Sequence, residues 1–346
     1  MTGAARGEPA SLTPPAYQLA MAEPVPRRAS VDPTLDWIYS AQTAEGDAPS
    51  RHGSATIDLQ GAIAVVYPDI AEPYRSVFTK IIEGIEETAK VGVRSVAVGS
   101  NVDTVQLAAQ LKRSNVKVVI ALGRQGLKAA SALERDIPVV VGGVLLLPDA
   151  EHRNLVGISL TPDPALLFAR LKSLQPGVKR VMVVYDPQHN EWLIRLAREA
   201  AKAQELDLVA LEARDLASAA RLYEGLFASA DGRRDALWLP QDPTTVDETT
   251  ILPLVLKESW NRNVAVFSSS YLHVKKGALF VLYPNNAELG RNLATSALKL
   301  LSGESRKGIL PLRQVYTAVN LRTASHIGLS LSHQQQRSFD SVFPEQ

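Results

Sequence analysis

From Ile57 onward the chain alternates short apolar runs with amphipathic stretches. Ile57–Tyr67 reads as a strand. Glu72–Ala89 reads as a helix, because Val77, Ile81, Ile82 and Ile85 recur at helical spacing. Asp69 and Glu72 stand three apart before it, in the pattern of a capping box. Val93–Val98 predicts a second strand and Thr104–Lys112 a second helix. The segment Val116–Gly143 then gives a buried strand, a glycine turn at Gly123, a short helix and another buried strand ending at Gly142-Gly143. Neither apolar run in that segment alternates, so both faces of each strand are expected to be covered, as in a parallel sheet between helices.

The pattern restarts after the linking strand Asn154–Leu160. Helices are predicted over Pro164–Leu174, Glu191–Gln204, Leu216–Ala228 and Asp247–Trp260. They alternate with strands over Arg180–Tyr185, Asp207–Glu212, Ala236–Leu239 and Val264–Ser268. Ala278–Tyr283 is a further strand. Asn285 or Asn286 caps a helix over Ala287–Leu301 that stops at Gly303. Two βαβ series predict an α/β protein of two doubly wound parallel-sheet lobes joined by a few crossings, with a ligand cleft between them. The segment beyond Ser330 reads as a polar tail.

Length and composition fit this picture. The 346 residues, 46% of them hydrophobic, suffice for two lobes with cores of their own. A formal net charge of +1 gives no electrostatic reason to expect nucleic acid or a membrane surface. No cysteine is present, which excludes disulfides, thiolate metal sites and a cysteine nucleophile, and leaves no residue for a lipoprotein anchor. The longest apolar run, Ile137–Leu147, is too short to span a bilayer. Met1–Ala55 is rich in Pro, Ala, Ser and Glu and reads as a disordered leader or linker, with a short helix considered around Leu35–Ala41. No signal peptide is visible in it.

Catalytic signatures are missing. There is no Gly-x-Ser-x-Gly elbow, no P-loop and no nucleophile–base pair in the pattern. The six histidines form no metal-binding spacing, so neither a metal nor a cofactor is expected. The strand ends are more telling. Tyr67-Pro68-Asp69, Asp186-Pro187 and Gln241-Asp242-Pro243 each follow a buried strand. They serve turn chemistry, and the same positions put polar groups at the carboxyl edge of a sheet. Gly123 and Arg124 open a helix whose free amides and guanidinium could hold a carboxylate or other anion. His189 follows a strand and could face the cleft. Tyr67, Tyr74, Tyr185, Trp192, Tyr271 and Tyr283 cluster at strand ends, where a small, partly apolar ligand would meet them. Trp238 lies within a strand and is assigned to the core, and Trp260 packs at a helix end.

The order of these segments resembles the ABC transporter substrate-binding proteins of the tryptophan/tyrosine-binding type, which have the type I periplasmic binding protein fold. The resemblance runs over about Ile57–Leu329. It is carried by VIALGRQGLKAA (119–130), IPVVVGGV (137–144), LVGISL (155–160) and LKSLQPGVKRVMVVYDP (171–187), then by DALWLPQD (235–242), KKGALFVLYPNNAELGRN (275–292) and ALKLLSGE (297–304). It implies one lobe from 56–159 and 284–312 and a second from 160–283 and 313–330, with a leader at 1–55 and a polar tail at 331–346. It also implies closure on a small molecule, an amino acid or another carboxylate, and delivery to an ABC permease. Further implications are a periplasmic setting, a monomer, no enzymatic activity and no insertion into the membrane. By local motif the cleft residues are Gly123 and Arg124, Gly143 and Val144, Asn190 and Glu191, Gln241 and Asp242, and Tyr283. Tyr67 and Tyr271 join them from their places at strand ends. Arg124, VLLLPDA (144–150), HNEW (189–192) and SSSYLHVKK (268–276) depart from the family pattern and make the cleft bulkier and more apolar on one side. A ligand sensor or accessory subunit without a transporter, and a degenerate member that binds no small molecule, are the alternative readings.

Overall fold

The computed structural model describes residues 62–344 except 73, 91, 132, 134–136, 146–154 and 305–306. The expected leader, the helix near Leu35, the first residues of the strand begun at Ile57 and most of VLLLPDA lie outside the described residues.

The first sheet holds β1 (Ile63–Pro68), β2 (Val93–Val98), β3 (Val118–Leu122), β4 (Val139–Gly142), β5 (Val156–Pro162) and β11 (Gly308–Leu312), in the order β11-β5-β4-β3-β1-β2. All its pairings are parallel. β3 is buried along its whole length, as its unbroken apolar sequence requires. The helices α1 (Arg75–Ala89), α2 (Thr104–Arg113) and α3 (Gly123–Ala130) fill the crossovers. Asp103 caps α2 by accepting from the amides of Val105 and Gln106 at 3.0 and 2.9 Å. The box expected at Asp69 and Glu72 does not form. α1 begins at Arg75 behind Tyr74, which makes no side-chain cap, and Glu72 only accepts from the Ser76 amide at 3.3 Å.

The second sheet holds β6 (Arg180–Tyr185), β7 (Asp207–Glu212), β8 (Asp235–Leu239), β9 (Ala265–Ser268), β10 (Phe280–Pro284), β12 (Val315–Asn320) and β13 (Ser341–Phe343), ordered β13-β12-β10-β9-β8-β6-β7. From β10 to β7 it is parallel, whereas β12 runs antiparallel to β10. Around it lie α4 (Pro164–Leu174), α5 (Pro187–Ala203), α6 (Leu216–Ala228), α7 (Ile251–Arg262), α8 (Tyr271–Lys276), α10 (Leu321–His326) and α11 (His333–Arg337). Phe168, Trp238 and Phe267 pack edge to face in one core layer. The segment read as a polar tail is instead part of this sheet. β13 pairs parallel with β12, and Phe339 and Phe343 are buried. The apolar side chains are too sparse to show a period, and only the edge of β12 gives them a place.

α9 (Asn286–Leu301) leaves the second sheet and returns to the first, where it lies against α1 and strands β3, β4 and β5. The α1–α9 contact is set by glycine. A Cβ on Gly84 would stand 2.1 Å from the Ala287 carbonyl oxygen, and one on Gly290 would stand 2.0 Å from that of Ile81. Only hydrogen lets the two backbones approach this closely.

The chain crosses between the sheets three times, after β5, β10 and β11, and the crossings are tied to one another. The Asp163 amide donates to the Leu312 carbonyl at 2.8 Å, and the Asn285 amide donates to that of Gln314 at 3.1 Å. Arg313 pairs with Asp163, which also caps α4 through the Ala165 amide at 2.9 Å.

Candidate functional site

The crossings fix the direction of both sheets. β5 ends at a crossing, α4 carries the chain away from it, and β6 returns. β10 ends at a crossing, α9 leads away through the first lobe, and β11 returns. The carboxyl ends of the parallel strands in both sheets therefore point toward the crossings, where ligands bind in open α/β sheets.

On the first lobe this edge is built from two glycine turns. Gly123 and Gly143 both have φ +66°, a left-handed conformation that costs glycine little. The turns lie side by side against Phe78. A Cβ on Gly143 would sit 3.4 Å from the Gly123 amide nitrogen, and one on Gly123 would be 3.2 Å from the Phe78 ring. Arg124 is exposed on the first turn of α3, and Tyr67 is half-buried near the end of β1. Val144 turns away from this edge. Its side chain packs with Val141 and Ile309, and its carbonyl accepts from the Ser159 hydroxyl at 3.2 Å and the Leu160 amide at 2.9 Å. The apolar character that marked Val144 in the sequence is what draws its side chain into the core.

On the second lobe a polar brace joins β6 to β8. The buried Asp242 carboxylate accepts from the Asp186 amide at 2.7 Å, from Asn190 Nδ2 at 2.9 Å and from the amides of Thr244 and Thr245, both at 3.0 Å. Burial pushes the Asp242 carboxyl above its ordinary range, and these donors offset only part of that rise. Asp186 accepts from the Thr244 hydroxyl at 2.8 Å and caps α5 through the Gln188 amide at 3.0 Å. The Gln241 side chain donates to the Ser269 carbonyl at 3.4 Å, which links the ends of β8 and β9. Glu191 sits at the rim and accepts from the Tyr185 hydroxyl at 3.1 Å. Burial first and then that bond push the Tyr185 phenol up to about 12. His189 is half-buried one turn into α5.

Further along the edge, Tyr271 meets Tyr283 and Phe343 with ring centroids 4.9 and 5.5 Å apart, and Tyr283 also faces Tyr316 at 5.6 Å. The Tyr283 hydroxyl lies 3.4 Å from that of Ser341, and burial raises its pKa. Both tyrosines are buried in this cluster, so their rings support the edge.

The fold assembles Asn190, Gln241 and Asp242 around Asp186 and Thr244, and it sets Gly123 beside Gly143. Thr244 and Thr245 were missed, although the QDPTT sequence after a strand is an Asp-capped turn. Ser268 and His273 were also missed as a pair. Their Oγ and Nδ1 are 2.7 Å apart, the contact geometry of a serine–histidine couple. Ser268 is fully buried and also accepts from the Ser270 amide at 3.1 Å, so the couple braces the β9–α8 turn and presents no nucleophile. Burial, aided by Lys276, lowers the His273 pKa to about 3 and keeps the ring neutral. Among the described residues no group of three or more His, Asp or Glu side chains is placed to hold a metal ion. No helix among them is long and apolar enough to cross a membrane.

Residues 81–336 match the family model described as ABC transporter substrate binding protein. The chain belongs to that family. Solved structures show the same fold. An ABC domain in complex with L-Trp from Streptococcus pneumonia is 16% identical, covers 82% of this chain and 100% of its own, and superposes with a TM-score of 0.51. A conserved domain protein from Vibrio cholerae is 16% identical over 81% of this chain and 99% of its own, with a TM-score of 0.51. A ligand-free, open substrate binding protein with adhesive properties from Clostridium difficile is 18% identical over 81% and 99%, with a TM-score of 0.56. No curated protein matches the chain. The α/β fold of two lobes is thus the type I periplasmic binding protein fold.

Proposed function

We propose that this protein is the receptor of an ABC importer, holding a small molecule between its two lobes outside the cytoplasmic membrane and presenting it to a permease. One observation carries this reading. The carboxyl edges of both parallel sheets converge on three crossings, the third hydrogen-bonded to each of the other two, the arrangement a hinge needs if two rigid lobes are to close on a ligand. The ligand is an amino acid or another carboxylate. Arg124 and the glycine turns at Gly123 and Gly143 supply charge and amides from one side. The braced edge around Asn190, Glu191, Gln241 and Asp242 meets it from the other, and Tyr67 contributes apolar surface. Val144 acts only through its backbone, and Tyr271 and Tyr283 act as supports. The role is binding, without catalysis.

The test is a thermal-shift screen of the full chain, stripped of ligand by unfolding and refolding, against amino acids, aromatic acids, sugars, nucleosides and short peptides. A ligand at 100 times its Kd stabilises the folded state by about 2.7 kcal/mol. A shift confined to carboxylates supports the proposal, and no shift with any class overturns it. Once a carboxylate is found, Arg124→Ala is expected to weaken it in calorimetry. Unchanged affinity would remove Arg124 from the contacts.

A further inference from the structure

The second lobe carries another recessed surface, at the end away from the crossings. α7 leads into the start of β9 and α8 into the start of β10, while β12 ends beside the start of β10, with Val319 opposite Phe280. The groove between these elements therefore lies at the amino edge of the sheet, opposite the edge that faces the crossings. It has a volume of about 360 Å³. Leu256 and Trp260 give it an apolar floor, and Lys257, Lys275, Lys276 and Arg322 stand around it with no carboxylate in the lining. Lys276 is held by Glu248 at 3.1 Å. The Lys275 ammonium lies over the Tyr271 and Phe343 rings at 5.2 and 5.7 Å, whereas Lys257 and Arg322 have no carboxylate partner among the described residues. In a chain of net charge +1 that is a local excess of positive charge.

Trp260 is the centre of this surface. It is 38% exposed, and its ring stacks on His326 at 3.5 Å with the planes 9° apart. His326 Nε2 bonds to the Trp260 carbonyl at 2.8 Å, and the Arg322 guanidinium lies 5.6 Å from the ring centroid. A tryptophan held rigid on one face with its remaining surface open loses little entropy on binding. Trp and Arg are the residues that dominate protein interfaces.

We propose that this groove docks an acidic peptide segment of a partner protein, one that carries an apolar side chain among its carboxylates. The charges favour a peptide over a compact phosphate. α7 and α8 bring their carboxyl ends here, and the partial negative charge of those ends opposes a phosphate seated on the backbone, while the amino end of α10 is already capped by the Asn320 side chain, which accepts from the Thr323 amide at 3.0 Å. Long lysine side chains hold their charge clear of the helix ends and spaced along the groove, which suits carboxylates distributed on a chain. Docking at this pole would leave the inter-lobe edge accessible.

The probe is a fluorescein-labelled peptide of six glutamates interrupted by two phenylalanines, titrated by anisotropy with the full chain at low salt. Saturable binding is expected, falling at least about tenfold when salt is raised severalfold, because the groove is exposed to solvent. The double variant Lys257→Glu, Arg322→Glu is expected to lose a similar factor. Trp260→Ala should weaken binding about threefold or more, with the melting curve of each variant checked against wild type. If the charge reversals disturb folding, the double alanine variant at the same positions takes their place. Absence of saturable binding by wild type, equal binding by a peptide with lysine for glutamate, or unchanged binding by the charge variants overturns the proposal. Displacement of the peptide by ADP or inorganic phosphate at comparable concentration also overturns it, since the groove would then be a phosphate site.

Discussion

Replacing Gly84 or Gly290 with alanine sets two physical effects against each other. Both glycines lie inside long helices, where alanine is intrinsically better by about 1 kcal/mol. Helix propensity alone therefore predicts that either variant is more stable. The packing predicts the reverse. The new methyl would stand 2.1 Å from the Ala287 oxygen in the first case and 2.0 Å from the Ile81 oxygen in the second. Both distances are far inside ordinary van der Waals contact, and the obstacle is backbone, so no rotamer change relieves it. α1 and α9 would have to separate, opening the layer they form over the first sheet. Overpacking of this kind costs about 1–3 kcal/mol and occasionally more. Because two helices must shift as bodies, each variant is expected to lose about 2 kcal/mol net, or roughly 4–8 °C in melting temperature. Gly225 supplies the control. It lies in α6, is exposed, and has nothing within 4 Å of its added Cβ, so Gly225→Ala should gain up to about 1 kcal/mol. Thermal and urea unfolding followed by far-UV circular dichroism would compare the three variants. If Gly84→Ala or Gly290→Ala stabilises the protein as Gly225→Ala does, the close helix approach is wrong.

Asp242→Ala leaves the donors of Asp186, Asn190, Thr244 and Thr245 facing a buried gap, so it should destabilise by about 3 kcal/mol or more; a loss under about 1 kcal/mol in urea unfolding would show that the brace is dispensable. The unfolded His273 titrates near 6.5 and the folded one at about 3, so between those values the unfolded chain binds the extra proton. The stability held by the neutral ring is complete above 6.5 and drains away as pH falls toward 3, and wild type should lose more stability over that window than His273→Asn; parallel pH profiles for the two would contradict this. Asp163→Ala removes the α4 cap and the Arg313 pair at the crossings, costing about 1–2 kcal/mol and broadening the distribution of lobe orientations in small-angle scattering; a wild-type scattering curve would argue against a clasp there.

Secondary elements and much of their punctuation follow from the chain's own pattern. Apolar runs without alternation can be covered only on both faces, so β3 and its neighbours were legible as a parallel sheet before any contact was known. Asp186, Asn285 and the glycines that end β3 and β4 act locally, within a few residues of themselves, and their roles could be read in place. The same local logic failed at Asp69 and Glu72, where a correct spacing met a chain that enters its helix three residues later. It failed again at Val144, whose position after a strand pointed to the cleft while its apolar side chain found the core.

Whatever depends on neighbours far apart in the chain was settled by tertiary structure. Gly84 and Gly290 become essential only because α9 returns across a lobe boundary to lie on α1. Asp242 becomes a brace only because β8 pairs with β6, which brings it under an amide 56 residues away. Residues 331–343 become structure only because β12 turns antiparallel and offers an edge. Propensity and periodicity act through the backbone of one segment. Close packing and buried hydrogen bonds act between segments, and their partners are fixed by the order of strands in a sheet.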